Sequence, residues 1–172
     1  MVEIGFGAGE ALVARAAGHP DEDHLGIEVH RSGVGRLLLA IEAAGLTNVR
    51  ISTHDAVEVF ESQLGPGSLD RVLLFFPDPW PKKRHHKRRL VQAGFVAAVA
   101  SRLKPGGRLQ LATDWAPYAL HMREVLDACR SFESATPGSF APRPAERPLT
   151  RFERRGERLG HQVFDLEYLK TQ

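Results

Sequence analysis

Four carboxylates of this 172-residue chain stand where apolar runs give way to turns: Glu3 before "GFGAG", Glu28 in "GIEVH", Asp55 in "STHDAV" and Asp78 in "FFPDPW". One acid at each successive strand end is more than capping requires, because open α/β sheets bind ligands outside the carboxyl ends of their strands. Asp78 is the most constrained. Pro77 and Pro79 fix φ at their own positions and keep Phe76 and Asp78 out of the helical region, so one carboxylate is held in one place, as catalysis requires. Trp80 adds a planar surface beside the acid, and Lys82–Arg89, "KKRHHKRR", places six cations and no acid in eight residues. An aromatic beside cations is how single-stranded or splayed-out bases are gripped. Taken alone, "PDP" also reads as a stiff turn and the basic run as a solvated face.

The turn "EIGFGAGE" lies where a first strand meets a first helix. Gly5, Gly7 and Gly9 permit φ > 0 and a close approach of backbone to ligand, although a strand–helix turn without a ligand would use the same residues. The spacing is GxGxG, and Glu10 occupies the position where a dinucleotide fingerprint needs its last small residue, a poor fit to a pyrophosphate. Glu3 also repels a pyrophosphate but suits a cationic sulfonium and its amino-acid ammonium group. The turn therefore reads as an S-adenosylmethionine site rather than an NAD site. Glu28, 25 residues after Glu3, ends the second strand, where a carboxylate accepts hydrogen bonds from ribose hydroxyls. Asp55 serves either as the N-cap of the next helix or as a contact to the adenine amino group.

These residues need elements to position them. The length and a hydrophobic content of 42% suit one globular domain with an ample core. The formal charge is +2, and Lys82–Arg89 alone contribute +6, so the rest of the chain carries −4. A basic site on a mildly acidic body suits a localised anionic partner. Cys129 is the single cysteine, so no intrachain disulfide forms. His85 and His86 are adjacent and no HExxH spacing occurs, so no metal is expected. No apolar run approaches the roughly 18 residues of a membrane span, and no signal peptide is visible, which makes the cytoplasm the expected location.

Apolar runs alternate with helical spacing along the chain. "MVEI", His24–Val29, "NVRIST", Leu69–Phe76 and "RLQLAT" read as strands. Glu10–Ala17, Gly33–Ala44 closed by Gly45, Ala56–Leu64, Leu90–Leu103 before "KPGG", and Tyr118–Cys129 read as helices. This alternation predicts a parallel sheet covered on both faces. Ser131–Pro148 is expected to be an irregular proline-rich loop within a single domain spanning 1–172. A charged turn or short helix follows, then a final strand around Val163–Leu169. The first strand is short and has no lead-in, so an N-terminal segment is expected to be missing.

The chain closely resembles the bacterial tRNA (guanine-N7-)-methyltransferases in "EIGFGAGE", "GIEVHRSGVG", "HDAVEV", "LFFPDPWPKKRHHKRR", "LATDWAPYALHMREVL", "PRPAERPLTRFERRGERLGH" and "VFDLEY". The resemblance covers nearly all of its length, and members carry a further segment before the glycine motif. It implies a class I methyltransferase fold, a Rossmann-like α/β three-layer sandwich with a mostly parallel sheet of about seven strands, the last reversed. It implies that Glu3, Glu28, Asp55 and Asp78, with the glycines of the motif, contact S-adenosylmethionine, and that Asp78 is catalytic. By the same resemblance Lys82, Asp114, Thr150, Arg151, Phe152 and Glu153 contact the substrate. Arg84, His85, His86, Lys87, Arg88 and Arg89 form the RNA-contacting stretch. The implied partner is tRNA, methylated at N7 of a variable-loop guanine, with monomer and homodimer both open.

The chemistry agrees with the residues. Guanine N7 has an exposed lone pair and needs no general base to attack a sulfonium methyl. A fixed carboxylate such as Asp78 or Asp114 can bond the guanine N–H edge and favour the positive charge that develops on the purine. Asp114 in "ATDW" also reads as an N-cap, and the two roles are compatible. Thr150 and Glu153 have capping-box spacing, and without the resemblance that segment reads as structural. An NAD-dependent oxidoreductase fails on Glu10 and on the lack of a Tyr–Lys relay. A methyltransferase of exocyclic amines is closer, since "PDPW" is near the "[DN]PP[YF]" motif, and a noncatalytic RNA-binding protein would leave the strand-end carboxylates without a purpose.

Overall fold

A computed structural model describes residues 1–147, 149, 153, 160 and 162–172. Among the described residues the strands are β1 (Val2–Ile4), β2 (His24–Ile27), β3 (Val49–Ser52), β4 (Leu69–Phe75), β5 (Leu103–Thr113), β6 (Phe132–Ser134) and β7 (Phe164–Lys170). They form one sheet in the order β3-β2-β1-β4-β5-β7-β6. Neighbouring pairs from β3 through β5 are parallel, while β7 runs antiparallel to both β5 and β6. This is the expected mostly parallel sheet with its last strand reversed.

The central strands read as continuous apolar runs because both of their faces are covered. On one face α1 (Glu10–Gly18) and α2 (Arg31–Ala44) pack around Phe6, Leu12, Ala16, Leu37 and Val49. On the other, α3 (Ala56–Glu58, continued by a wider π turn over Val59–Gln63), α4 (Ala93–Arg102) and α5 (Ala116–Asp127) complete a larger core. That core includes Phe60, Phe95, Val99, Tyr118, Met122 and Leu126.

Three departures from the sequence reading have physical causes. The helix expected from Leu90 begins at Ala93, because the backbone ahead of it is claimed by other partners. Val91 N–H donates to the Tyr118 hydroxyl at 3.3 Å, its carbonyl meets His121 Nε2 at 2.9 Å, and Gln92 Nε2 donates to the His86 carbonyl at 3.1 Å. The basic run forms a 3₁₀ helix over Lys83–Arg88, too short and too polar to show an apolar period. Within the expected loop, Phe132–Ser134 adds β6 as an edge strand on β7, seated by an edge-on contact between the Phe132 and Tyr168 rings. A three-residue strand with one large apolar side chain carries no alternation to detect.

Gly9 shows how the glycine turn is tied to the fold. It begins α1 at φ 80, and a Cβ there would lie 2.6 Å from Leu37 Cδ1 on α2. Gly9 is therefore a packing residue between two helices. Gly9→Ala should cost about 1–3 kcal/mol through overpacking, with the left-handed φ adding to it. Urea denaturation is the measurement, and unchanged stability would show that α1 and α2 can separate without loss.

Candidate active site

The strand order reverses at the β1–β4 pair, and the covering helices leave the two strands on opposite faces. Their C-terminal ends stop level, with Ile4 paired to Ile27 on one side and Leu74 on the other. A cavity of about 470 Å³ opens just beyond them, the position at which such sheets bind ligands. Its lining includes Glu3 of β1, Gly5 and Gly7 from the first turn, Glu28 after β2, Ser32, Gly33 and Arg36 from α2, Phe75 of β4 and Phe76 just after it.

Gly5 and Gly7 adopt φ 70 and 58, and a Cβ on either would meet nothing within 4 Å. They present bare backbone to the cavity. Gly7 N–H donates to Glu28 Oε2 at 3.0 Å, and His30 N–H donates to Glu28 Oε1 at 2.9 Å. The Glu28 carboxylate thus staples the glycine turn to the start of α2, and each oxygen keeps a further lone pair for a hydroxyl. Gly33 was not singled out from the sequence, yet a Cβ there would sit 2.4 Å from the Gly7 carbonyl oxygen. The signal was present in "HRSGVG", where a glycine opens a helix.

Glu3 is the unusual group. It is 4% exposed, and its Oε2 has no hydrogen-bond partner. Burial pushes its carboxyl up to about 8. An unpartnered buried acid on a cavity wall is a costly arrangement unless a cation or donor arrives to meet it.

Asp78 is exposed and follows Phe76 of the cavity lining by two residues, but is not itself among the lining residues. Phe76 and Trp80 both have positive φ, 53 and 43. Bulky residues in that region cost about 1–3 kcal/mol each and persist only where the surroundings hold them. Phe76 N–H is held by the Ala112 carbonyl at 2.8 Å. Because Phe75 pairs with Ala112, Asp78 and the exposed Asp114 leave neighbouring strands close to the same level.

The other expected site residues have varied surroundings. Asp55 is exposed, accepts the Val57 N–H at 2.8 Å as an N-cap, and is not among the cavity-lining residues. Gly9 packs on Leu37 and also lies off the lining. Arg89, expected in the RNA-contacting stretch, is buried: its Nε donates to the Pro79 carbonyl at 2.9 Å, and its guanidinium lies 4.9 Å from the Tyr118 ring centre. Trp80 offers less free surface than expected, since Arg88 sits 5.0 Å from its ring centre and His85 meets it edge-on. Lys82, Arg84, Lys87 and Arg88 are exposed, and His85 and His86 half-buried. Glu153 is buried and paired with Arg147 at 2.6 Å. Thr150, Arg151 and Phe152 lie outside the described residues. Arg147 is a residue the sequence reading missed. It is buried, also bonds Asp165 at 3.0 Å, and covers the Phe75 and Phe76 rings. Among the described residues no helix is long and apolar enough to cross a membrane, and no His, Cys, Asp and Glu cluster is arranged to hold a metal.

The topology is that of the class I S-adenosylmethionine-dependent methyltransferases. A SAM-dependent methyltransferase from Aquifex aeolicus superposes with a TM-score of 0.65, over 99% of this chain and 81% of that one, at 12% identity. An rRNA methylase from Streptococcus thermophilus gives 0.63, over 99% and 86%, at 15% identity. The family model described as "Putative methyltransferase" matches residues 1–166. The tRNA (guanine-N(7)-)-methyltransferase of Leifsonia xyli is 60% identical over 97% of this chain and 74% of its own length. That of Alkalilimnicola ehrlichii is 60% identical over all of this chain and 73% of its own. The chain belongs to the tRNA (guanine-N(7)-)-methyltransferase family.

The cavity suits S-adenosylmethionine as donor: Glu3 is an orphaned buried acid for a cationic ligand, and the glycines give the backbone access. The free protein should register this acid. Glu3 titrates near 4.5 when unfolded and near 8 when folded. Between those values the folded state binds a proton that the unfolded state has released. The resulting stability is complete below about pH 4.5 and is lost as pH rises to about 8, at roughly 1.4 kcal/mol per pH unit. Glu3→Gln should remove this slope from a plot of unfolding free energy against pH. An identical slope in wild type and variant would show that Glu3 is ionised in the folded protein.

Proposed function

We propose that this chain transfers a methyl group from S-adenosylmethionine to N7 of a guanine in tRNA, with Asp78 at the reacting centre. The observation that supports this reading best is the cavity at the β1–β4 crossover, walled by the unpartnered Glu3 carboxylate and rimmed by the strained loop that carries Asp78. The donor supplies an electrophilic methyl on a cationic sulfur, which the N7 lone pair can take without a prior deprotonation. Glu3 offers its charge to the donor's cationic end, and Glu28 offers its remaining lone pairs to hydroxyls. Asp78 and Asp114 hold the N–H edge of the purine and favour its developing positive charge. Positioning supplies much of the remaining acceleration. The related proteins' names carry the choice of tRNA and of N7.

Unmodified tRNA incubated with donor and protein, then digested, should yield 7-methylguanosine by mass spectrometry. Methylation at an exocyclic amine alone would replace this reading with the runner-up.

The basic 3₁₀ turn supports the binding half of the proposal, with Lys83, Arg84 and Lys87 exposed on it. Each cation that neutralises a phosphate adds roughly 0.7–0.9 to the slope of log affinity against log salt. Replacing these three with Ala should flatten the slope for tRNA by about 2–3 units and leave S-adenosylhomocysteine binding unchanged. A wild-type slope in the triple variant would make the turn a solvated face.

A further inference from the structure

The six cations of the basic run are not used alike. Lys83, Arg84 and Lys87 are exposed, whereas Arg89, the last, is buried at 4% exposure. Its Nε–H bonds the carbonyl of Pro79, the residue after Asp78, at 2.9 Å. Its guanidinium packs on the face of Tyr118, a fully buried residue of α5. Burying a guanidinium is expensive, and Nη2 of Arg89 has no hydrogen-bond partner. An apolar side chain would fill that space at lower cost, so the charge and the fork must be retained for what they hold.

What they hold is the loop from Phe76 to Trp80. Its two ends are bulky residues in the left-handed region, and its middle is two prolines around one aspartate. Prolines remove the amide N–H groups by which a strand or turn would secure the loop, so its carbonyls must be caught from outside. The Phe76 N–H donates to the Ala112 carbonyl, Trp80 is covered by Arg88, and the Pro79 carbonyl between them accepts from Arg89 Nε–H.

We infer that Arg89 is a positioning residue for Asp78, clamping the Pro79 carbonyl against the α5 face of the core, and is not a phosphate-binding cation. The 3₁₀ turn that presents Lys83, Arg84 and Lys87 to a polyanion then ends in the clamp that fixes the loop aspartate. This inference rests on the reading of Asp78 as the group at the reacting centre.

The test compares Arg89→Met, Arg89→Lys and Asp78→Asn by single-turnover methylation of unmodified tRNA, by tRNA affinity and its salt slope, and by S-adenosylhomocysteine affinity. Arg89→Met should slow methyl transfer by about 10²-fold, the usual penalty for a displaced reacting group. It should leave both affinities within about twofold and keep the wild-type salt slope. Arg89→Lys, which keeps one donor and the charge, should recover about tenfold of that loss. A salt slope flattened by roughly 0.7–0.9 with the rate retained would make Arg89 a phosphate contact and overturn the inference. A wild-type rate in Arg89→Met would overturn it as well. If the Met variant does not fold, Arg89→Lys decides: a slowed rate with wild-type tRNA affinity supports the clamp, and a wild-type rate, or equal loss of rate and affinity, overturns it. Asp78→Asn separates the two readings. A wild-type rate there removes the catalytic role of Asp78, whereas a slow Asp78→Asn beside a fast Arg89→Met removes only the clamp.

Discussion

The reversal of strand order at β1 and β4 is the constraint on which the rest of this molecule depends. From β1 the chain departs to the α1–α2 face, and from β4 it passes through the basic turn to the α4–α5 face. The connections diverge, and the gap between them is the cavity. Every group placed at that gap then faces the same problem of burial beside a space meant for a ligand. Glu3 meets it by staying protonated in the free protein, since no partner reaches its Oε2. Glu28 meets it by taking two backbone N–H groups and so becomes a brace for the turn. Two acids beside one cavity are thereby met differently, Glu28 by two backbone N–H donors and Glu3 by none at its Oε2.

The loop beyond β4 solves the opposite problem, that of holding an exposed acid still. Asp78 has solvent around it, so its position depends on the backbone beneath it. Two prolines stiffen that backbone but also strip it of donors, and two left-handed bulky residues strain it. The surroundings hold it: the Ala112 carbonyl of β5 accepts the Phe76 N–H, Arg88 lies over Trp80, and Arg89 Nε–H donates to the Pro79 carbonyl. Cations that look uniform in sequence thus divide between holding the loop and facing outward.

That division marks the limit of what was legible in the sequence. Strand ends can be read, because apolar runs stop abruptly, and Glu3, Gly5, Gly7 and Glu28 lie around one cavity. Side-chain direction on a six-residue 3₁₀ turn could not be read, because such a turn has no apolar period to orient it. Arg89 was therefore grouped with its neighbours. Asp55 reads two ways for a related reason: an N-cap and a ligand contact use the same residue type at the same place. Gly33 and Arg147 act through contacts across the fold, with the Gly7 carbonyl and with Asp165, which no local pattern announces.

Arg147 also explains why the proline-rich stretch lies where it does. Its guanidinium covers Phe75 and Phe76 at the cavity rim while bonding Asp165 on β7 and Glu153. Burial pushes the Asp165 carboxyl up, and the charge and hydrogen bond of Arg147 oppose that rise. One residue earlier, Glu146 pairs with Arg15 of α1 and with Arg71 of β4. The stretch is therefore pinned across three elements by charge rather than by apolar packing. Buried ion pairs add little stability, because desolvation offsets their attraction, but breaking one partner leaves an expensive unpaired charge. Such a contact is poor at strengthening a fold and good at allowing only one arrangement of it. Here the one arrangement joins Glu153 and the aromatic residues of the cavity through a single guanidinium, so that neither can shift without disturbing the other.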